Sequence, residues 1–318
     1  MATDLFLDSM LFKKAFIKKC IAFLSFAPFL LAAPLSAQEF NQKLDVQLRA
    51  DDRSSRDVRY QYRLRYYPQL QFDDTWSVNG FAATGDEFGS SHNTIDDGNA
   101  DYLYLRRLFV RHEGDYGKTE LGVIPTFKGR VSSSGLSKDG WIKGLRHVRA
   151  LGDDNLEIVV GQLTSLDPSR AFKAPEDLDY IEIEYSARIN DKWSYEVSAE
   201  RMTQANFLRS ELRYNLASNA IIFGEIVTRI DERKVKTVLG LEGEFMLQDY
   251  PLEYFAHYSY VSEDFGLRAE LTEDFLGTGN GFSGELSGDI PNSRFGWFTR
   301  FDAVSERTRF LLGIKWSL

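Results

Sequence analysis

The sequence predicts an all-β chain, a transmembrane up-and-down antiparallel β-barrel of about sixteen strands, with fourteen or eighteen as neighbouring counts. Three observations carry this. Segments of about ten residues alternate apolar and polar along most of the chain. Their connections alternate between short turns and loops of variable length. The chain also ends on a strand whose apolar parity runs to the last residue, which a lipid-facing strand needs and a strand buried in a soluble sheet does not.

The first 37 residues stand apart. Lys13, Lys14, Lys18 and Lys19 form a basic stretch, CIAFLSFAPFLLAAP follows, and Leu35-Ser36-Ala37 offers a small-residue cleavage site before Gln38. Residues 1–37 therefore read as a secretory signal peptide, and residues 38–318 as one barrel. The acidic leader before Met10 fits no signal-peptide rule, so translation is expected to start at Met10; a primary product beginning at Met1 would contradict this. Cys20, the single cysteine, lies in the signal. The remainder then has no disulfide, no cysteine metal ligand and no cysteine nucleophile. The signal carries a net +2 of the chain's −9, which leaves −11 on the barrel and disfavours nucleic acid as a partner. No apolar run approaches the ~18 residues of a transmembrane helix, so membrane entry requires a closed barrel.

Along the chain, Leu44, Val46, Leu48 and Ala50 alternate with Lys43, Asp45, Gln47 and Arg49. Val58, Tyr60, Tyr62, Leu64 and Tyr66 alternate with Arg59, Gln61, Arg63 and Arg65. The pattern recurs at 181–189, 193–200, 252–260 and 294–303, and closes at 308–318 with Phe310, Leu312, Ile314, Trp316 and Leu318 on one face. Parity is ambiguous at 102–112 and 141–151, and 265–275 reads as loop or as a further strand. Turn residues mark short connections at 73–74, 114–117, 152–155, 190–192, 217–219, 248–251 and 289–293. The other set includes 85–99, 125–140, 164–177 and 262–280, with tight members at 203–206, 231–234 and 305–307. Short turns on one rim and variable loops on the other place the short set on the periplasmic side.

Trp76, Trp193, Trp297 and Trp316 fall at the turn-side ends and Trp141 at a loop-side end, as membrane-interface girdles require. Five of the six prolines after the signal lie in connections; Pro68 lies within a strand pattern, where a bulge is expected to hold it.

Catalytic chemistry finds little support. His92 lies with Ser90, Ser91, Asp96 and Asp97 in a polar loop, a composition that a solvated loop explains as well as a Ser/His/Asp site. His112 and His147 lie near strand ends and have no second ligand at metal spacing. Gly277-Thr278-Gly279-Asn280-Gly281 precedes no helix, so it is not a phosphate cradle. No catalytic residue, metal or cofactor is expected.

The informative feature is charge on the inward parity. Arg49, Arg59, Arg63 and Arg65 make the early strands basic, with one of Arg106 or Arg107, and with Lys143 and Arg149 as candidates to join them. Glu182, Glu184, Glu196 and Glu200 make the middle strands acidic, followed by Glu242, Glu244, Glu253 and Glu285. Arg294, Arg300, Arg309 and Lys315 return to basic, and closure puts the last strand beside the first. A basic wall then faces an acidic one across water, a transverse field that orders polar solutes. Within 125–140, Lys128, Arg130 and Lys138 outweigh Asp139; this loop is expected either to add positive charge to a constriction or to lie in solvent.

With signal, alternating strands, short turns, a long third loop and a terminal aromatic strand, the chain resembles Gram-negative outer-membrane porins over residues 38–318. Locally, ATGDEFGSSHNT (83–94) and LYLRRLFVRHEGDYGKTELGVIP (103–125) resemble porin strand pairs. The resemblance implies a sixteen-stranded barrel in the outer membrane of a Gram-negative bacterium, surrounded by outer-membrane lipid, assembled as a homotrimer and delivered to the barrel-assembly machinery through its C-terminal strand. It implies that the third loop narrows the pore between Arg49, Arg59, Arg63 and Arg65 and the facing Glu182, Glu184, Glu196 and Glu200. Two departures stand out. The loop is basic where general porins are acidic, which leans toward anions, and Leu318 stands where the family prefers Phe.

The expected function is passive diffusion of small hydrophilic, anion-leaning solutes. The alternatives are a barrel enzyme acting on lipid or lipopolysaccharide, which needs His92, His112, His147 or His257 beside a nucleophile or metal ligand at the lipid boundary, and a structural or adhesive barrel with a filled lumen.

Overall fold

The computed structural model describes residues 39–95, 102–126, 136–217, 219–272 and 275–318. The expected signal peptide, Met10 and Cys20 lie outside these residues, as do Asp96, Asp97, Lys128 and Arg130.

Alternation with period two builds the sheet. Its strands are β1 (Glu39–Arg53), β2 (Arg56–Gln71), β3 (Trp76–Thr84), β4 (Asn93–Thr94), β5 (Leu103–Gly114), β6 (Gly117–Pro125), β7 (Trp141–Leu151), β8 (Asp154–Gln162) and β9 (Tyr180–Arg188). The second half comprises β10 (Trp193–Met202), β11 (Ala205–Ala217), β12 (Ala220–Arg229), β13 (Lys234–Leu247), β14 (Tyr250–Val261), β15 (Gly279–Asp289), β16 (Phe295–Val304) and β17 (Arg307–Ser317). The two-residue β4 merely pairs with the edge of β2, through Gln61↔Thr94 and Tyr62↔Asn93. The other sixteen strands each pair antiparallel with their neighbours and close into a barrel. Closure is through β1 and β17, from Asp45↔Ser317 to Arg53↔Arg309. It extends to the last residue, where Leu44 and Leu318 exchange backbone bonds of 3.0 and 2.9 Å. Leu318 thus completes the ladder through its backbone.

The even strand count and both sets of connections match the sequence expectation. The turns hold through short polar side chains: Asp73 accepts from the Thr75 and Trp76 backbone amides at 2.7 and 2.8 Å. The described residues of the loop-rim connection 262–278 contain no strand and include the short helix α1 (Leu267–Thr272). A 3-10 turn, Pro168–Arg170, lies in the connection between β8 and β9.

Burial follows parity. Ile183, Leu208, Leu239 and Leu312 are each more than half exposed on the outer face, while Glu182, Arg209, Val238 and Leu311 beside them are buried inside. An outer belt of this kind fits hydrocarbon, and a closed ladder leaves no unpaired strand edge there. Trp76, Trp193 and Trp316 pack on His112, Tyr214 and Phe295 at the turn-rim end, with ring centroids 4.5, 4.6 and 6.2 Å apart. Trp141 departs from the girdle expectation: it is buried against Phe88 at 4.8 Å, in a cluster that also takes in Leu163 and Ala171 of the β8–β9 connection. Nor does Pro68 require a bulge. The β2–β3 register is the same on both sides of it, and Gly80 opposite has no Cβ to meet its ring.

Leu239→Arg tests the lipid-facing assignment. On the exposed face of a soluble sheet this change is close to neutral; near the bilayer midplane it should cost about 2–4 kcal/mol, read by denaturant unfolding from lipid vesicles.

Candidate functional site in the barrel lumen

On β1 and β2 the register sets guanidinium after guanidinium along one inner wall. From the loop rim inward the pairs are Arg53↔Arg56, Asp51↔Arg59, Arg49↔Gln61, Gln47↔Arg63 and Asp45↔Arg65. Alternate residues on a strand are about 7 Å apart, so Arg56 to Arg65 runs for about 30 Å along the strand. Asp51, fully buried, is shared by Arg53, Arg56 and Arg59 at 3.0, 2.7 and 3.8 Å. Arg65 meets Asp139 at 2.6 Å. Arg49 donates to Gln61 at 2.9 Å. Arg63 forms no ion pair among the described residues, and its Nε is buried without a hydrogen-bond partner there. Of the six guanidiniums of this file, four therefore share two carboxylates. On the adjoining strands Arg300 and Arg309 share Asp302 at 2.8 and 2.7 Å.

The facing strands carry the opposite excess. Glu184, Glu196, Glu211 and Glu225, from β9, β10, β11 and β12, converge on Arg209. The bonds to Glu225 and Glu211 are 2.9 and 2.8 Å, the contact with Glu184 is 3.3 Å, and Glu196 is also bonded. Arg213 bridges Glu211 and Glu242, the latter at 3.0 Å. Two guanidiniums thus meet five carboxylates. Next to this cluster, Glu182 and Glu200 are register partners; Glu182 accepts from the Tyr180 hydroxyl at 2.5 Å, and Glu200 lies 3.2 Å from Arg268 of the 262–278 connection.

Arg49, Arg59, Arg63, Arg65, Arg300 and Arg309 lie on the inward parity, as do Glu182, Glu184, Glu196 and Glu200. Four expectations change. Lys143 and Arg149 share the parity of the outward Leu145; Lys143 is covered, and the charges acting on it are Arg170, Glu176, Lys173 and Asp179 of the β8–β9 connection. Arg146, on the other parity, is the lumen residue of β7, 2.9 and 3.0 Å from Glu120 and Glu157. Arg294 falls in the turn before β16. Both Arg106 and Arg107 point inward, because the β3–β5 register shifts between Phe81 and Ala82 and the extra residue is Arg106. Arg209, Arg213 and Arg146 were not singled out from the sequence, although the same alternation signals them.

Arg106 and Arg107 hold loops. Arg106 donates to the carbonyls of Thr84, Gly85, Glu87 and Ser90 at 2.6–3.0 Å. Arg107 donates to the carbonyls of Gly140, at 2.7 Å, and Lys138. With Arg65 on Asp139, these bonds draw residues 138–140 against the inner wall. Lys138 reaches a cavity of about 980 Å³ that also takes in Asn41, Lys43, Tyr67, Asn155 and Ser186 near the turn rim. A second cavity of about 450 Å³ lies beside Glu242, Glu244, Glu253 and Glu285.

The histidines do not converge. His92 contacts Gln47 at 2.7 Å, His147 contacts Thr119 at 2.9 Å, His112 packs on Trp76, and His257 is buried on the inner face of β14. Among the described residues no group of three His, Cys, Asp or Glu could hold a metal.

A closed sixteen-stranded antiparallel barrel with a charged interior is a porin-type barrel. Solved structures with this fold include a triple mutant of the Rhodopseudomonas blastica porin (TM-score 0.63, 9% identity, 88% of this chain and 100% of that one). OmpT, an outer membrane protein of Vibrio cholerae in trimer form, has TM-score 0.57 and 10% identity over 89% of this chain and 100% of that one. Pseudomonas aeruginosa OprD has TM-score 0.54 and 10% identity over 88% and 95%. These likenesses are of fold. No family model matches the chain, and no curated protein matches it in sequence.

Removing Arg209 leaves four buried carboxylates facing one another. Arg209→Ala should lose about 3–5 kcal/mol of stability, with Arg209→Lys losing less, measured by denaturant unfolding in detergent or lipid.

Proposed function

We propose that this chain is an outer-membrane channel of a Gram-negative bacterium that passes small hydrophilic solutes by diffusion and favours anions. The observation that carries the reading is the file of six inward guanidiniums on β1 and β2, four of which share two carboxylates. Such a file attracts carboxylates and phosphates and hands them from one planar fork to the next without a deep well. The opposing glutamates complete a transverse field that favours dipolar solutes over apolar ones. Lys138 adds positive charge where the 125–140 loop meets the lumen, and Lys128 and Arg130, beyond the described residues, are proposed to act with it.

The channel needs no cofactor and no chemical step. Trimeric assembly and delivery through the C-terminal strand belong to the same proposal; a trimer is the form of the Vibrio cholerae neighbour. An enzyme at the lipid boundary would need one histidine beside a nucleophile or metal ligand; His147 meets the Thr119 hydroxyl at 2.9 Å, but among the described residues its other ring nitrogen has no hydrogen-bond partner to orient it as a base.

Protein refolded into planar bilayers should conduct in steps and prefer anions. Replacing Arg59, Arg63 and Arg65 together by Ser should move the reversal potential in a salt gradient toward the cation side. An unchanged potential would remove the guanidinium file from selectivity, and absence of conductance from the unmodified protein would remove the channel.

A further inference from the structure

Below the guanidinium file, at the turn-rim end of the lumen, the inner wall changes character. Asn41 of β1 is the register partner of Gln69 on β2, and Gln69 is the partner of Asn79 on β3. Three carboxamides therefore stand side by side on the inward parity of adjacent strands. One step toward the loop rim, Tyr67 lies between Lys43, its register partner, and Phe81, whose ring centroid is 4.9 Å away. Phe81 is buried beneath Arg107 at 4.4 Å, so it backs the Tyr67 ring. Across the lumen, Asn155 of β8 and Ser186 of β9 are register partners on the inner face. All of these residues line the cavity of about 980 Å³.

Most charges around this cavity are engaged with one another. Lys43 lies 3.3 Å from Asp45, Arg111 2.8 Å from Glu120, and Arg146 2.9 and 3.0 Å from Glu120 and Glu157. Arg65 is held by Asp139, Arg107 by the Gly140 carbonyl, and Glu184 and Glu196 by Arg209. Lys118 and Lys138 complete the charged lining. The neutral groups are in the opposite condition. Among the described residues the side chains of Asn41, Gln69, Asn155 and Ser186 and the Tyr67 hydroxyl make no hydrogen bond, and Asn79 makes one, to Ser77 at 2.9 Å. Asn41 and Asn155 are exposed, and Tyr67, Gln69, Asn79 and Ser186 are half-buried, so their donors and acceptors stand open to the cavity.

We infer that this end of the lumen is a binding stage for polyhydroxylated solutes of mono- or disaccharide size. A sugar ring presents an apolar C–H face and a rim of hydroxyls that both donate and accept. Tyr67 supplies an aromatic face for the first, and the carboxamide row with Asn155 and Ser186 supplies donors and acceptors for the second. The cavity is large enough for such a solute, and a few oriented polar groups beside an aromatic ring are what a small-molecule site needs. The inference rests on the channel reading above and adds to it: the guanidinium file acts on charge, whereas this stage acts on hydroxyls.

The test is sucrose added to a planar bilayer that holds the protein. Sucrose should interrupt the ion current at a frequency that saturates with concentration, whereas a polyethylene glycol of equal hydrodynamic size, with ether oxygens in place of most hydroxyls, should lower the current without saturation. Tyr67→Ala, and separately Gln69→Ala with Asn79→Ala, should each raise the half-saturating sucrose concentration about tenfold. Asn41→Ala, at an exposed position, replaces either variant that does not fold. Equal behaviour of sucrose and the glycol, or a half-saturation that no variant moves, overturns the inference and leaves the channel intact. Gluconate interrupting the current where sucrose does not would show that the stage reads charge, and overturns it as well. Should the unmodified protein not conduct, the channel reading falls, and calorimetric titration of the detergent-folded protein with sucrose decides the site: saturable heat that Tyr67→Ala weakens supports it, and absence of heat overturns it.

Discussion

Four successive strands bring a glutamate each to the guanidinium of Arg209, and the rest of the lumen is arranged around such settlements. A barrel interior is narrow, and inward side chains on neighbouring strands are forced close together. Charges placed there interact through little water, so each carries a desolvation cost that a partner must offset. Two guanidiniums meet five carboxylates on the β9–β13 wall, and four guanidiniums meet two on the β1–β2 wall. The two excesses face each other, and neither wall is neutral by itself. Local pairing supports the sheet, and the surplus charge of each wall is what the proposed channel would present to a solute.

The loops use the same chemistry. Arg106 and Arg107 spend their donors on carbonyls of loops 85–90 and 138–140, which removes them from the count of groups open to a solute. Arg268 brings a positive charge from a loop to a wall of glutamates. The backbone bond between Ser137 and Leu271 ties the two inward loops together, so the mouth has one combined lining. Aromatic contacts such as Phe207 with Phe265 are worth about 0.5–1.5 kcal/mol beyond their area, enough to hold a short strap yet small against the stability of a closed ladder.

Much of this was legible in the sequence, because parity is rigid: one residue in, the next out, for as long as the ladder is regular. That is why Arg49, Arg59, Arg63 and Arg65 and the four central glutamates could be placed on the inner face from alternation alone. Arg209 and Arg213 obey the same alternation against Leu208 and Leu212, and were legible though not singled out. Legibility failed where regularity failed. At Arg106 an extra residue turns two consecutive arginines inward. At Trp141 and Lys143 the parity is outward but a distant loop covers the face. The 262–278 connection was beyond reach for a different reason: its six-residue helix has no periodicity long enough to read, and its position depends on Phe207, Glu200 and Ser137, all more than fifty residues away in sequence.

The central claim is that the β1–β2 wall holds mobile anions. Crystals of the protein soaked in bromide, with the halide located by anomalous scattering, test it most directly. The account predicts bromide inside the barrel within reach of Arg59 and Arg63. Bromide confined to the outer rims, or rubidium ions occupying that wall in a parallel soak, would contradict it.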